Sequence, residues 1–181
     1  MKKFELTAEF VTNVFGKKLF RIKALVAFGD VEKGELGGFI EKEDNLSHDG
    51  NAWVYGNARV YGNARVSGNA RVFGNARVSG NAQVYGDARV SGNAQVSGDA
   101  RVYGNADYAV VKGFGRCFRT TTFFRCKDKI LRVQCGCFYG DLAQFREIVK
   151  KTHGDSKYAK EYLAIADLME LHFSDECGGE Q

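Results

Sequence analysis

A six-residue repeat fills the middle of the chain and constrains its fold more than any other feature. Regular copies run from Asn51-Ala-Trp-Val-Tyr-Gly56 to Asp99-Ala-Arg-Val-Tyr-Gly104. In each copy the Ala and the Val stand two residues apart, so both point to one side of a short strand, and the residue between them points away. Each strand therefore has one small, apolar side and one side that is polar in most copies.

The end of each copy predicts a corner. Glycine followed by Asn or Asp tolerates the left-handed backbone angles that a sharp bend needs. The chain has 22 glycines and no proline, which indicates that the glycines serve a regular structure. A single strand and corner cannot enclose a core, but stacked coils bury a continuous column of Ala and Val and pair their backbones with the coils above and below.

The repeat resembles the hexapeptide-repeat family of left-handed parallel β-helices. In that family a small residue follows an aliphatic one four positions later, as Ala58 follows Val54. The resemblance implies three hexads per coil, so residues 45–110 would form about 3.7 coils with a length of roughly 18 Å at the usual strand spacing. Such coils would stack Arg59, Arg77 and Gln95 on one face, Arg65, Gln83 and Arg101 on a second, and Trp53, Arg71, Arg89 and Asp107 on a third.

The segments on either side of the repeat predict two further units. Residues 1–44 contain a strand-like stretch and clustered glycines. Residues 117–126 and 129–138 are rich in β-branched and aromatic side chains and predict a hairpin that turns at Lys127-Asp128. We therefore expect a mainly β fold in three parts: an N-terminal β cap (1–44), a left-handed parallel β-helix of about 3–4 coils (45–110) and a small C-terminal α+β module (111–181).

Two helices are predicted after the hairpin. Asp141 and Gln144 form a capping-box pattern at the start of the first helix, and Gly154 marks its end. Its predicted apolar stripe consists of Leu142, Phe145, Ile148 and Val149. The second helix is predicted from about Ser156 to Phe173, with Tyr158, Tyr162, Ile165, Leu168 and Met169 at helical spacing.

An enzyme built on the repeat is the first alternative for function. The resemblance covers acyltransferases that use acetyl-CoA and a histidine general base at a coil, and carbonic anhydrases whose zinc is held by three histidines. Between Asn51 and Val110 the sequence has no histidine and no inserted loop. His153 and His172 fall at predicted helix ends, where a cationic side chain favours the helix dipole. We expect no catalytic residues and no cofactor, and the acyltransferase remains the alternative.

The cysteines are the candidates for a metal site. Cys117, Cys126, Cys135 and Cys137 are clustered in the sequence. With a tight turn at 127–128, Cys126 would lie beside the turn and far from Cys135 and Cys137, although a longer turn could bring Cys117 near that pair. We expect reduced thiols and no metal ion.

Positive charge is concentrated in residues 112–132, which contain seven basic residues and one acidic residue, Asp128. Arginines beside hydroxyl groups suit a phosphate or carboxylate ligand. The alternative is a solvated basic hairpin offset by the acidic tail, which includes Asp175, Glu176 and Glu180. The predicted binding residues are Arg116, Arg119, Thr120, Thr122, Arg125, Lys127, Lys129 and Arg132.

The overall layout resembles phage and prophage hexapeptide-repeat proteins. The resemblance includes Phe28-Gly-Asp-Val31 before the repeat and Cys135-Gly-Cys-Phe138 after it. It implies a phage-associated accessory role and supplies no reaction. We expect a non-enzymatic binding protein, with antagonism of host defence as the hypothesis and a host protein, a nucleic-acid complex or a small nucleotide as the partner. A polymer-forming structural protein is a further alternative.

Two expectations concern assembly and location. Prisms of the hexapeptide-repeat family commonly associate side by side, so the resemblance implies a homo-oligomer. The N-terminal residues Met1-Lys-Lys-Phe-Glu5 lack the apolar segment of a secretory signal, and no apolar run approaches the ~20 residues that span a bilayer. We expect a cytoplasmic protein that does not contact a membrane.

Overall fold

The chain begins with three strands that lead into the repeat. A computed structural model describes residues 1–174 and places β1 at Phe4–Thr12, β2 at Lys18–Ala24 and β3 at Leu36–Ile40. β1 and β2 form an antiparallel hairpin, and β2 pairs antiparallel with β3. β3 then pairs in parallel with the repeat strand Arg59–Val60, so the N-terminal segment adds to the first turn of the coil.

The repeat forms a parallel β-solenoid of about four turns. Each strand pairs with the strand 18 residues later, as Arg59 pairs with Arg77, so three hexads make one coil as predicted. Residues 53–102 carry nine two-residue strands: β4 Trp53–Val54, β5 Arg59–Val60, β6 Arg65–Val66, β7 Arg71–Val72, β8 Arg77–Val78, β9 Gln83–Val84, β10 Arg89–Val90, β11 Gln95–Val96 and β12 Arg101–Val102.

The interior of the solenoid contains the Ala and Val columns that the repeat predicts. Every repeat Ala from Ala52 to Ala100 and every repeat Val from Val54 to Val102 is fully buried. The predicted arginine faces are confirmed by the strand registers, with two exceptions at the ends. Trp53 occupies an outward position but is fully buried, because the rings of Phe4 and Phe28 pack on it. Asp107 lies in a short 3-10 helix, Asn105–Asp107, outside the coil.

Stacking in parallel leaves different backbone groups open at the two ends. Outside the two-residue strands, the hydrogen bonds between coils run from N–H groups of one coil to carbonyls of the next, as Trp53 N donates to Ala70 O at 3.0 Å and Arg59 N to Ala76 O at 2.9 Å. The first coil therefore has carbonyls, and the last coil N–H groups, that no neighbouring coil satisfies. Buried groups of this kind need partners.

Side-chain donors cover the first end. The ammonium group of Lys3 and the side-chain amide of Asn45 are both buried beneath the N-terminal segment. Each donates to two carbonyls: Lys3 Nζ to Gly50 O at 3.2 Å and Ala52 O at 2.9 Å, and Asn45 Nδ2 to Gly62 O at 3.1 Å and Ala64 O at 2.8 Å. Burial lowers the pKa of Lys3 from 10.5 to about 8, an effect that Asp49 partly offsets.

Side-chain acceptors cover the last end. Asn105 Oδ1 accepts from Arg89 N at 3.0 Å, and Thr122 Oγ1 accepts from Gln95 N at 3.0 Å. Thr122 is fully buried. Open groups of the other kind also have partners: Gly62 N donates to Glu41 Oε2 at 2.7 Å at the first end, and Asp99 O accepts from Lys127 N at 3.1 Å at the last.

Two corners of the solenoid carry ladders of side-chain amides. Asn63 donates to Asn81, and Asn81 donates to Asp99 at 3.0 Å. A second ladder runs from Asn51 through Asn69 to Asp87. An Asn both donates and accepts, whereas a carboxylate only accepts. An Asp therefore suits the last rung of each ladder, where the side chain accepts from the rung above.

The C-terminal module is a four-stranded antiparallel sheet covered by two helices. The strands are β13 Tyr108–Phe114, β14 Arg119–Arg125, β15 Leu131–Cys135 and β16 Phe138–Asp141, paired in that order, and the helices are α1 Leu142–His153 and α2 Lys157–Phe173. The predicted hairpin is β14–β15. The sequence did not indicate β13 or β16, and β13 runs across the boundary predicted at residue 110.

The helix predictions are confirmed at their termini. Asp141 Oδ1 accepts from Gln144 N at 2.8 Å, and Gln144 Oε1 accepts from Asp141 N at 3.0 Å. Gly154 ends α1. The predicted apolar stripes are only partly buried, since Ile148 and Leu168 are 38% and 56% exposed. On α2 the additional buried positions are Ala159, Ala166 and Phe173.

The sheet lies between the solenoid and the helices, and β14 contributes side chains to the cores on both of its faces. Successive side chains of a strand point to opposite faces. Phe124 belongs to the core of the solenoid, whereas Phe123 belongs to the core that contains Phe145 and Ile165 of the helices. The sheet therefore closes the last coil with one face and supports the helix layer with the other.

Replacing Thr122 by Val tests the closure of the last coil. The nearly isosteric side chain leaves Gln95 N without its acceptor, which costs roughly 1–3 kcal/mol of unfolding free energy for a buried donor. Urea denaturation of Thr122→Val and of the half-buried control Thr120→Val measures the difference. Equal stability of both variants would contradict this assignment.

The free energy of unfolding should depend on pH, because Lys3 at the first end of the solenoid titrates at a lower pH in the folded state than in the unfolded state. The folded state releases the Lys3 proton near pH 8 and the unfolded state near pH 10.5, so the unfolded state binds more protons between these values. Stability then rises with pH in that window. A neutral amine keeps two N–H donors for the two carbonyls. We expect the unfolding free energy of the wild type, relative to Lys3→Met, to rise from pH 8 to 10.5 and to be constant below pH 7.

Lys33→Met is the control for this pH series, because Lys33 is exposed. The difference between the wild type and Lys33→Met should not change with pH in the same window. A constant difference between the wild type and Lys3→Met would show that Lys3 does not titrate as described.

Candidate functional site

The predicted basic residues do not form one site. β14 separates Arg116 and Arg119 at its start from Arg125, Lys127 and the other predicted cations at its end, about 20 Å away along a seven-residue strand. Between these groups, Thr122 is buried and bonded to the solenoid. The expectation that the Thr122 hydroxyl contacts a ligand is therefore wrong.

The two arginines at the other end of β14 have partners within the module. Arg125 Nη2 donates to Phe173 O at 2.9 Å and stacks over the Phe173 ring, which ties β14 to the end of α2. Arg132 pairs with Asp128 at 2.7 Å. Lys127 and Lys129 remain exposed on the turn between β14 and β15. This end of the strand has structural contacts for its two arginines.

A cavity of about 450 Å³ opens at the other end of β14. It lies between the β13–β14 turn, the β15–β16 turn and the facing sides of α1 and α2. We call it the cysteine cavity, because three thiols line it. Its lining consists of Arg116, Cys117, Arg119, Cys135, Cys137, Phe138, Phe145, Ile148, Val149, Thr152, His153 and Tyr162.

The walls of the cysteine cavity are aromatic and aliphatic. The ring centroids of Phe138 and Phe145 are 5.6 Å apart, and those of Phe145 and Tyr162 are 5.8 Å apart. His153, the last residue of α1, lies 5.9 Å from the Tyr162 ring. Burial raises the pKa of the Tyr162 hydroxyl to about 12, and the neighbouring Cys135 adds to this effect. The walls are therefore apolar and carry no charge from Tyr162 at neutral pH.

The β13–β14 turn is fixed against α2. Gly115 has a φ of +70°, and a Cβ added to it would lie 2.2 Å from the Tyr162 hydroxyl. Gly115 N donates to Glu161 Oε2 at 2.9 Å, and Tyr162 Oη donates to Phe114 O at 3.3 Å. Only glycine fits both the backbone angle and the close approach. These contacts hold the following Arg116 and Cys117 at the mouth of the cavity.

Arg119 connects the two turns. A Cβ added to Gly136, in the β15–β16 turn, would lie 2.5 Å from Arg119 Nη1. Gly136 O also accepts from Gln134 Nε2 at 2.8 Å. The guanidinium group therefore packs directly on the backbone next to Cys137. This contact brings the two turns, and the cysteines they carry, to one cavity mouth.

The cysteines separate into two groups, as the turn geometry indicated. Cys126 lies on the solenoid side of the sheet, where burial raises its thiol pKa. Cys117, Cys135 and Cys137 line the cavity, and Cys135 Sγ accepts from Thr121 Oγ1 at 3.2 Å. Within residues 1–174, no three or more His, Cys, Asp or Glu side chains are arranged to hold a metal ion.

The remaining histidines have packing contacts away from the cavity. The His48 ring stacks on Phe4 with centroids 4.3 Å apart, and its Nδ1 accepts from Lys3 N at 3.2 Å. His172 packs edge-on against Phe173. Of the histidines, His153 is the one that faces the cysteine cavity. No pattern in the sequence indicated this placement, since only the packing of α1 against the sheet brings His153 there.

Of the predicted binding residues, Arg116 and Arg119 line the cysteine cavity, but the aromatic side chains beside them were not among the predictions. Phe138, Phe145 and Tyr162 come from a strand and two helices, and each looked like an ordinary core residue. One feature of the sequence did point to this cavity: a longer β14–β15 turn could bring Cys117 near Cys135 and Cys137. All three cysteines line the cavity.

None of the helices in residues 1–174 combines the length and the apolar character needed to cross a membrane.

Comparison with known proteins bears on the repeat. The model of the YdcK β-solenoid repeat family matches residues 52–68, 58–72, 64–80, 70–84, 82–98 and 94–106. No curated protein matches the chain. The matched segments coincide with the stacked strands from β4 to β12 and end where the C-terminal module begins. Together, the matches and the parallel 18-residue coils show that this chain is a β-solenoid repeat protein.

Proposed function

We propose that this is a non-enzymatic binding protein whose cysteine cavity takes a small molecule with an apolar body and a negatively charged group. The observation that carries the proposal is the pairing of aromatic walls with Arg116 and Arg119 in one cavity of about 450 Å³. The solenoid acts as a rigid spacer that holds this module. The function thus lies beside the repeat.

The state of the arginines supports an anionic ligand. Arg116 and Arg119 are exposed, and in the described part of the chain neither pairs with a carboxylate. The other arginines of the module are engaged: Arg125 with the end of α2, Arg132 with Asp128, and Arg146 with Asp167 and Glu170 at 2.7 Å each. A guanidinium group binds phosphate or carboxylate with two parallel hydrogen bonds.

The size and walls of the cavity support an apolar body. Ligand sites commonly measure about 300–1,000 Å³ and combine apolar walls with a few polar groups. Phe138, Phe145 and Tyr162 offer ring surfaces on which a flat group can pack. A nucleotide has both a flat base and a phosphate, and it is the ligand class that we favour among the partners expected from the sequence.

The biological role that we propose is sequestration of a nucleotide signal, as a means of antagonising host defence. Its support is the resemblance of the segments around the repeat to phage proteins, together with the ligand chemistry of the cavity. A large nucleic-acid or protein surface is less favoured, because the basic residues are divided between the two ends of β14. Self-association through the solenoid faces belongs to the same proposal.

The acyltransferase alternative receives less support from the repeat. The strands from Trp53 to Val102 follow one another at six-residue steps without an inserted loop. The histidine general base of such enzymes has no counterpart between Asn51 and Val110. Calorimetric titration with acetyl-CoA, followed by an assay of acetyl transfer to amines, would detect this activity and would then contradict a purely binding role.

Charge reversal at the two ends of β14 tests the proposed site. Arg116→Glu with Arg119→Glu should weaken binding at least tenfold, since loss of one charge-assisted hydrogen bond costs about 1.5–3 kcal/mol and 1.4 kcal/mol is a factor of ten. Titration calorimetry with mononucleotides, cyclic dinucleotides and the anionic dye anilinonaphthalene sulfonate measures the affinity.

The matched control is Lys127→Glu with Lys129→Glu, which makes the same change of charge at the other end of the strand. This variant should bind the same probes within about twofold of the wild type, because screening weakens interactions over ~20 Å. Equal losses in both variants, or no binding of any probe to the wild type, would refute the cavity as the site.

A further inference from the structure

Three thiols meet at the cysteine cavity, although the proposed binding of an anion does not need them. Of the four cysteines among residues 1–174, three line this cavity: Cys117 in the β13–β14 turn, Cys135 at the end of β15 and Cys137 in the β15–β16 turn. Cys117 and Cys137 are exposed, whereas Cys135 is half-buried and bonded to Thr121. Two accessible thiols therefore stand at one mouth, next to two arginines.

We propose that Cys117 and Cys137 form a site of thiol–disulfide exchange with anionic low-molecular-weight disulfides. The inference rests on the proposed function, because Arg116 and Arg119 would attract the carboxylates of such a compound. Local positive charge raises the local concentration and the encounter rate of an anionic reagent. Arg116 is directly adjacent to Cys117 in the chain, and Arg119 packs on the backbone next to Cys137.

The exchange takes place in two steps. The Cys117 thiolate attacks one sulfur of the small disulfide, forms a mixed disulfide and releases the other half as a thiolate. The Cys137 thiolate then attacks the Cys117 sulfur and releases the second half. The two thiol protons pass through solvent to the released thiolates. The small disulfide is reduced to two thiols, and the protein pair is oxidised to a Cys117–Cys137 bond.

The contact of Arg119 with Gly136 supports the second step. Arg119, two residues after Cys117, packs on the backbone of the turn that carries Cys137, and both thiols line one cavity. Formation of the bond requires the two exposed turns to move together. A disulfide requires Cα atoms within about 7 Å. The new bond would cross the mouth of the cavity, and oxidation would then restrict access to the binding site.

Cys126 provides an internal control for accessibility. It is buried on the opposite face of the sheet, and burial raises its thiol pKa. A buried thiol with a raised pKa reacts slowly, because the thiolate is the nucleophile. Selective modification at the cavity mouth should therefore leave Cys126 reduced.

The experiment compares disulfides of different charge. The protein carries Cys177→Ser, because Cys177 lies outside the described residues. It is treated with oxidised glutathione, neutral hydroxyethyl disulfide and cationic cystamine. Mass spectrometry of peptides under non-reducing conditions follows each thiol, and each rate is divided by that of an uncharged cysteine peptide. We expect a normalised rate about tenfold higher for glutathione disulfide than for cystamine and a Cys117–Cys137 product.

Neutral substitutions test the role of the arginines. Arg116→Gln with Arg119→Gln should remove the charge preference, whereas Lys127→Gln with Lys129→Gln should keep it. Equal normalised rates for the anionic and cationic reagents in the wild type would overturn the inference, as would a product that links other cysteines.

Binding of anilinonaphthalene sulfonate to the reduced Cys177→Ser protein, in which both cavity thiols are present, separates the two proposals. Probe binding without charge-selective exchange in the parent protein would reject the inference and leave the proposed function standing. Charge-selective exchange without probe binding would support the inference and reject the apolar ligand site.

Discussion

The direction of the hydrogen bonds between parallel coils determines how both ends of this molecule are built. Outside the two-residue strands, each coil donates N–H groups to carbonyls of the next, so carbonyls remain open at the first coil and N–H groups at the last. The chain supplies the donors Lys3 and Asn45 at the first end and the acceptors Asn105 and Thr122 at the last. The regular interior of small side chains can therefore end at both coils without leaving these buried backbone groups unpaired.

Closure of the last coil leads directly to the candidate site. The sheet that supplies Thr122 and Phe124 to the solenoid has a second face, which must also be covered because it carries Phe123. The two helices cover that face, but the β13–β14 and β15–β16 turns at one end of the sheet extend past the helix-covered core. Arg116, Arg119 and the three thiols lie on or beside those turns, so the cavity is a consequence of how a sheet is shared between two cores.

Much of the architecture could be predicted because it depends on short-range patterns. The spacing of Ala and Val fixed the burial of both columns, and Asp141 with Gln144 fixed the start of α1 through contacts within one turn of helix. The candidate site was predicted less well. The positive charge of residues 112–132 was a correct observation, but a strand separates the cations, and the alternation of side chains turns Thr122 inward. Neither effect appears in a count of charges.

The sequence by itself determined the stacked Ala and Val columns and the two helices, because each follows from contacts that repeat along the chain or lie within a few residues. The 18-residue coil and its arginine faces were implied by the resemblance to the hexapeptide-repeat family, and the strand registers confirm them. Only the tertiary structure decided that Trp53 is covered, that Lys3 reaches the carbonyls of the first coil, and that cysteines from two turns share a cavity with Tyr162. These depend on contacts between residues far apart in the chain, whose partners no local pattern specifies.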